Sequence, residues 1–269
     1  MSMESQHWYR PDGTTCHTQY TKPGAKNPTR PTNISDARKL GLLPSVSGIT
    51  QQWASYDLVR YKMRKVAEAA FHSPPIGDED KNEWIATMID KSSEDASAAA
   101  DIGTIVHDAI EKVLTGGSYN KDQEVVLSTM QTVYLKALVD PALEAYEALG
   151  VTPTGVEKVL VNKDDGYAGK TDIVFDFGII DWKSMRTKEG EKIKPRQSHP
   201  PQLAAYLKAA KGGIFKDFWC ANIYISTTEP GRVEMVEYDA DQLRKAYQLF
   251  DCCNQLWRAA NNYDPRNLA

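Results

Sequence analysis

Long apolar runs are missing from this 269-residue chain. No stretch approaches the roughly 18 continuous apolar residues of a membrane helix, so no span is expected. Residues 1–10 contain no apolar core of the signal-peptide kind, so no secretory leader is expected. Cysteine is scarce too. Cys16, Cys220, Cys252 and Cys253 form no CxxC pair, which excludes a disulfide scaffold and fits the reduced thiols of an intracellular chain. Neighbouring Cys252 and Cys253, if helical, point about 100° apart. That suits neither a disulfide nor a shared metal, so the thiols read as packing residues. No internal repeat is visible. A hydrophobic content of 41% with 25% charged residues rules out a disordered or collagen-like chain. The length fits one large domain, or one domain with an accessory region.

Positive charge is in slight deficit, with a net charge of −4. By itself this argues against a nucleic-acid partner, whose phosphates require cations. The layout says more. Residues 1–65 carry 10 Lys/Arg against 4 Asp/Glu, a net +6, and residues 66–111 carry 2 against 11, a net −9. Residues 112–182 carry 6 against 11, and residues 183–196 reverse the sign with 6 against 2. Two basic regions therefore flank an acidic middle.

Residues 1–33 are rich in Pro, Gly and polar groups, with a hairpin-like turn at Asp12-Gly13. Ser35-Asp36 could cap a short helix running to Leu43, before Pro44. Helical patterning follows over residues 50–71, around Trp84 to Ile89, from Ser93 to Leu114, and from Asp122 to Leu149 with Pro141 as a kink. From Val151 the texture becomes alternating and β-branched. Strands are expected at Val156–Val161, Ala168–Asp176 and Ile179–Lys183, then a helix from Pro200 to Lys211. Strands around 218–226 and 232–238 and a helix from Asp241 to Asn261 complete the chain. The class is α/β or α+β with an N-terminal helical half. Residues 1–92 read as an arm and helical region, and residues 93–269 as the core.

The informative segment is Gly166-Tyr-Ala-Gly-Lys-Thr-Asp172, followed by Ile180-Asp-Trp-Lys183. In a strand, Asp181 and Lys183 share one face while Trp182 takes the other. A two-residue turn at Asp176-Phe177 sets Asp172 directly opposite Asp181. Such a pair of like charges destabilises a sheet unless a divalent cation lies between them. Carboxylates for Mg²⁺ or Mn²⁺ beside an ammonium suit phosphodiester hydrolysis; a hairpin with scattered surface charges is the plain alternative. Gln202 and Tyr206, four apart, share a helix face, and His107 follows Gly103 by four.

Taken in order, GTIVH (103–107), Glu157, GYAGKTD (166–172), IIDWK (179–183) and QLAAY (202–206) resemble the PD-(D/E)XK nuclease superfamily, and within it the RecB-like exonuclease branch. Residues 37–49, ARKLGLLPSVSGI, are similar to the N-terminal region of phage-encoded members. The resemblance implies a restriction-endonuclease-like core, a central mixed sheet flanked by helices. It implies Asp172 and Asp181 as metal ligands with the Trp182 carbonyl, His107 reaching the metal from the helical side, and Lys183 as the catalytic lysine. Glu157 would be outer-sphere support or a second-metal ligand, with a salt-bridged edge glutamate as the alternative. Gln202 and Tyr206 would border the site and contact the substrate backbone. One or two Mg²⁺ or Mn²⁺ ions would be the cofactor. Some members of the branch hold an iron–sulfur cluster; the cysteine spacing here departs from theirs, and no cluster is expected.

The implied substrate is DNA ends, in the cytoplasm of a bacterial host, with a single-strand annealing or recombination protein as a candidate partner. Arg186, Lys188, Lys192, Lys194 and Arg196, in the loop leading from Lys183 to the Gln/Tyr helix, become candidate phosphate contacts. Trp8, Tyr9, Trp53, Tyr56 and Tyr61 of the basic arm become candidate stacking surfaces for single-stranded bases, although Trp53 and Tyr61 are expected mainly to pack in the core. A module of the same fold that binds without cutting, and an unrelated carboxylate hydrolase such as a glycosidase, are the rival readings.

Overall fold

The computed structural model describes residues 7–53, 56–77, 79–127 and 129–267, with side chains at 56–58 and 93–99 left aside. The arm holds β1 (Trp8–Tyr9), β2 (Thr18–Tyr20), β3 (Thr29–Pro31), α1 (Ile34–Leu40), β4 (Leu43–Pro44) and α2 (Val46–Thr50). The expected turn at Asp12-Gly13 is present: Gly13 N donates to Arg10 O at 2.9 Å and Arg10 N to Thr14 O at 2.8 Å. The helix expected behind a Ser35-Asp36 cap and running to Leu43 is capped two residues earlier and ends at Leu40, and Leu43 belongs to β4. Asn33 is its cap, in a reciprocal capping box with Asp36, and Gly41 ends it at φ 64°. The short strand β1 pairs with β4, and Ser45 bridges to Ala168 of the main sheet. That pairing buries Trp8 and Tyr9, so they are not the stacking surfaces expected of them. Trp53 and Tyr61, expected in the core, are instead 37% and 49% exposed. The Tyr56 side chain lies outside the described residues.

Two long helices follow, α3 (Tyr56–His72) and α4 (Lys81–Leu114). The sequence separates a helix near Trp84 from one starting at Ser93; the structure makes them one, capped by Asp80. Ser93 and the acids after it imitate a helix start, but neither Pro nor Gly occurs from Lys81 to Ile102 to interrupt the helix. The helix expected over 122–149 is also different. Its first part is a hairpin, β5 (Glu124–Val126) and β6 (Thr132–Tyr134), where β-branched and aromatic residues prevail; only α5 (Lys136–Glu147) is helical. Pro141 sits inside α5. It cannot bond the carbonyl of Ala137, and that carbonyl accepts from Gly231 N at 2.9 Å instead.

The core sheet contains β7 (Pro153–Asn162), β8 (Tyr167–Phe175), β9 (Gly178–Met185), β10 (Trp219–Ser226) and β11 (Val233–Tyr238) in spatial order β11-β10-β9-β8-β7. The strands β9 and β10 are parallel, joined by the crossover helix α6 (His199–Lys211), and the other pairs are antiparallel. Helix α7 (Ala240–Asn261) closes the chain, with a capping box at Asp239 and Gln242. One core layer joins Val174 and Ile179 to Leu203, Phe250 and Trp257 of α6 and α7. The other joins Ile173, Ile180 and Trp182 to Val106 and Ile110 of α4 and Leu138 of α5. Each such fully buried side chain contributes about 1.5–3 kcal/mol. This is the expected mixed sheet flanked by helices, consistent with a restriction-endonuclease-like core.

Candidate active site

The hairpin β8–β9 positions the first carboxylates. Its turn is Asp176-Phe177, and the rungs are Phe175↔Gly178, Val174↔Ile179 and Ile173↔Ile180, as alternation from a two-residue turn requires. At Gly178 any Cβ would collide with Trp219 O where β10 begins. The ladder stops after Ile173↔Ile180. Instead of a rung between Asp172 and Asp181, the Trp182 amide donates to Asp172 Oδ2 at 2.7 Å. The Trp182 indole points away, as expected, and meets Tyr146 edge-on at 5.9 Å.

The neighbouring strand breaks at the same level. β7 and β8 pair at Val156↔Ile173 and Lys158↔Thr171, but Glu157 and Asp172 between them are left out. Glu157 has φ 50°, a left-handed conformation that a non-glycine residue adopts only when its surroundings impose it. Its carboxylate pairs with Lys170 on β8. Above the break runs α4. Gly103 of the helix lies against β9, where a Cβ would be in ordinary contact with Ser184 Cβ at 3.5 Å. One turn on, His107 Nδ1 lies 3.8 Å from Asp172 Oδ1.

His107, Glu157 and Asp172 each offer a ligand atom, and these atoms all lie within 4.8 Å of one another. One imidazole and two carboxylates fit a hard divalent cation. Asp181 stands beside this group rather than within it. Its Oδ2 is 2.6 Å from Lys183 Nζ and accepts from Asn222 Nδ2 at 3.0 Å. Asn222 of β10, fully buried, was missed: an amide inside a largely apolar strand is the one signal the sequence offers, and the parallel pairing Asn222↔Asp181 is what shows where it points.

Charge in this cleft is unbalanced. Burial, then the nearby Asp181 charge, pushes the Asp172 carboxyl well above its usual range, against the pull of Lys183 and the Trp182 amide. Burial lowers the His107 imidazole, which stays available as a neutral ligand. Along α6, Gln202 Nε2 donates to the Tyr206 hydroxyl at 3.0 Å, joining the two expected residues, and burial raises that phenol. Gly169 of β8 makes room for the ring, because a Cβ there would lie 2.7 Å from Tyr206 Cε1.

The loop after β9 leaves Arg186, Lys188, Lys192, Lys194 and Arg196 exposed. It is held to β10–β11 by Arg232, which bonds the Lys188 carbonyl at 2.9 Å, the Glu191 carbonyl, Glu229 and Glu234. Ile193 N adds a bond to Glu234 Oε2 at 3.1 Å. Among the described residues no helix is long and apolar enough to cross a membrane.

A family model described as the PD-(D/E)XK nuclease superfamily matches residues 81–267. No curated protein matches the chain.

Proposed function

The chain belongs to the PD-(D/E)XK nuclease superfamily, and from that premise we propose that it is a Mg²⁺- or Mn²⁺-dependent DNA exonuclease of the RecB-like branch, acting on DNA ends in phage recombination or end processing. The observation that carries the reading is the group His107, Glu157 and Asp172, with ligand atoms within 4.8 Å, set beside the Asp181–Lys183 pair. His107, Glu157 and Asp172 would hold a divalent ion, which would supply Lewis acidity to the phosphoryl group and to water.

The chain's own groups do the rest. Asp172 and Asp181 bring two carboxyl groups together in a buried cleft, where ionising both is costly and a cation offsets that cost. Lys183, on the same strand face as Asp181, brings its ammonium to the attacking water or to the charge developing on the phosphate. Gln202 and Tyr206, already bonded to each other, face the substrate backbone. Arg186, Lys188, Lys192, Lys194 and Arg196 supply the phosphate attraction that the net charge conceals. Because His107, Glu157, Asp172, Asp181 and Lys183 are all retained, a module that binds without cutting is the weaker reading.

End-labelled single- and double-stranded DNA incubated with Mg²⁺ or Mn²⁺ tests this. Stepwise shortening by the wild type, abolished in Asp181→Ala and Lys183→Ala while both variants stay folded, is the expected result. Undiminished cleavage in both variants overturns it.

A further inference from the structure

Asp181 has a side chain only 5% exposed, and a buried carboxylate requires hydrogen-bond donors. Its two side-chain donors meet on one oxygen, Oδ2: the Lys183 ammonium and the Asn222 amide. Asn222 Nδ2 also lies 3.4 Å from the Asp181 carbonyl. Behind it, Asn222 Oδ1 accepts from the Tyr224 hydroxyl at 3.5 Å, and that hydroxyl is 2.8 Å from His199 Nδ1. Residues 222 and 224 share a strand face, and His199 opens α6. A polar row, His199–Tyr224–Asn222–Asp181, therefore runs into the site under that helix.

The row has a cost. On its own face of β10 Asn222 sits in a layer that holds the buried apolar residues Cys220 and Leu203, and an amide buried there is stabilising only if its partners are kept. Its partner is the carboxylate. Lys183 cannot both clamp Asp181 and serve the reacting groups. A neutral amide can clamp without cancelling the charge that attracts a cation, and Tyr224 limits its rotation.

We propose that Asn222 is a positioning residue for Asp181: it fixes the carboxylate for the divalent ion and leaves Lys183 free for the reaction, with Tyr224 and His199 holding Asn222 from behind. The proposal rests on the nuclease reading above.

The test compares wild type with Asn222→Leu, which keeps the volume and loses the donor, Asn222→Ser and Tyr224→Phe. Mn²⁺ affinity is measured by calorimetry on the metal-free protein, kcat and KM on DNA, and folding by urea denaturation without metal. Asn222→Leu should lose about 10–100-fold in Mn²⁺ affinity and in kcat, as outer-shell substitutions do, with KM for DNA unchanged. Tyr224→Phe should lose less, in the same direction. Wild-type Mn²⁺ affinity and kcat in Asn222→Leu, or a loss confined to KM, would overturn the proposal. Should Asn222→Leu not fold, unchanged Mn²⁺ affinity in both Asn222→Ser and Tyr224→Phe overturns it equally. A wild-type protein that binds Mn²⁺ but cuts no DNA would remove the nuclease reading, while the Mn²⁺ affinities alone would still decide the role of Asn222.

Discussion

The Trp182 amide donates to Asp172 Oδ2 at 2.7 Å, at the level where β8 and β9 cease to pair. A side-chain oxygen thus takes the place of a strand carbonyl, and the two strands part without stranding a buried donor. The arrangement divides the carboxylate: Oδ2 is committed to the backbone, while Oδ1 lies toward His107, 3.8 Å away. Structural and chemical demands fall on different atoms of one residue.

That division makes the metal response of the protein separable from its folding. Mn²⁺ at about 100 times its Kd should stabilise the metal-free wild type by about 2.7 kcal/mol. Asp172→Asn retains an oxygen that can accept from Trp182 but loses the charge, so it should fold and gain little. Asp172→Ala strands the amide and should also cost about 1–3 kcal/mol without metal. Denaturant midpoints with and without Mn²⁺ measure both effects. Equal stabilisation of wild type and Asp172→Asn would refute the assignment.

Gly169 is required by the ring it lies under. A methyl group there would sit 2.7 Å from Tyr206 Cε1 and 3.3 Å from Val46 Cγ2. Gly169→Ala must therefore push the Tyr206 ring off its place and strain its bond to Gln202, at about 1–3 kcal/mol for overpacking. Cleavage should fall in proportion to the displacement of Tyr206. Tyr206→Phe, which removes the hydroxyl and not the ring, should lose activity while keeping the wild-type melting temperature within a few degrees. Wild-type stability in Gly169→Ala would contradict this packing.

The parts of the site that local rules govern were readable from the sequence. A two-residue turn between alternating strands fixes the register to Ile173↔Ile180, and four-residue spacing puts Gln202 beside Tyr206 and His107 one turn beyond Gly103. What was not readable depends on pairing between distant segments. The missing rung at Glu157 and Asp172, the left-handed Glu157 and the amide bond that replaces a rung follow from two strands breaking together. Asn222 reaches Asp181 through a parallel crossover whose register no local pattern encodes. Trp8 and Tyr9 are buried by pairing with Leu43–Pro44, more than thirty residues away. The pairing of Glu124–Val126 with Thr132–Tyr134 leaves no local signal, because each strand is only three residues long, too short for period 2 to be distinguished.

The basic loop carries a prediction of another kind. Arg232 is its anchor, bonded to two loop carbonyls and two glutamates. Replacing Lys194 or Arg196 with Ala should weaken DNA binding and reduce the slope of log K against log salt by about 0.7–0.9 for each phosphate left without its cation. Arg232→Ala should leave the cations in place but unfix them, raising KM several-fold more than it lowers kcat. It also leaves Glu229 and Glu234 without their shared partner, so Arg232→Lys should restore part of the loss. Binding isotherms over a range of salt distinguish the cases. A loop whose substitutions leave the salt slope unchanged does not touch phosphate.

His199 links the site to pH through stability. Burial, with Lys183 and Arg196 nearby, lowers its imidazole from about 6.5 to about 3, and its Nδ1 is engaged by Tyr224 at 2.8 Å. In the unfolded chain the same group titrates near 6.5. Above that pH both states are neutral and the residue adds no pH dependence. As pH falls below 6.5 the unfolded chain takes up a proton that the native state refuses until about pH 3, so stability falls across that interval, by at most about 1.4 kcal/mol per pH unit. His199→Asn, which can still bond Tyr224 and does not titrate, should have a flatter profile than wild type there and the same profile above pH 7. Arg196→Ala should raise the native pKa and narrow the interval from below. Urea midpoints from pH 8 to pH 4 measure all three. Parallel profiles for wild type and His199→Asn would show that His199 is not held neutral in the native protein.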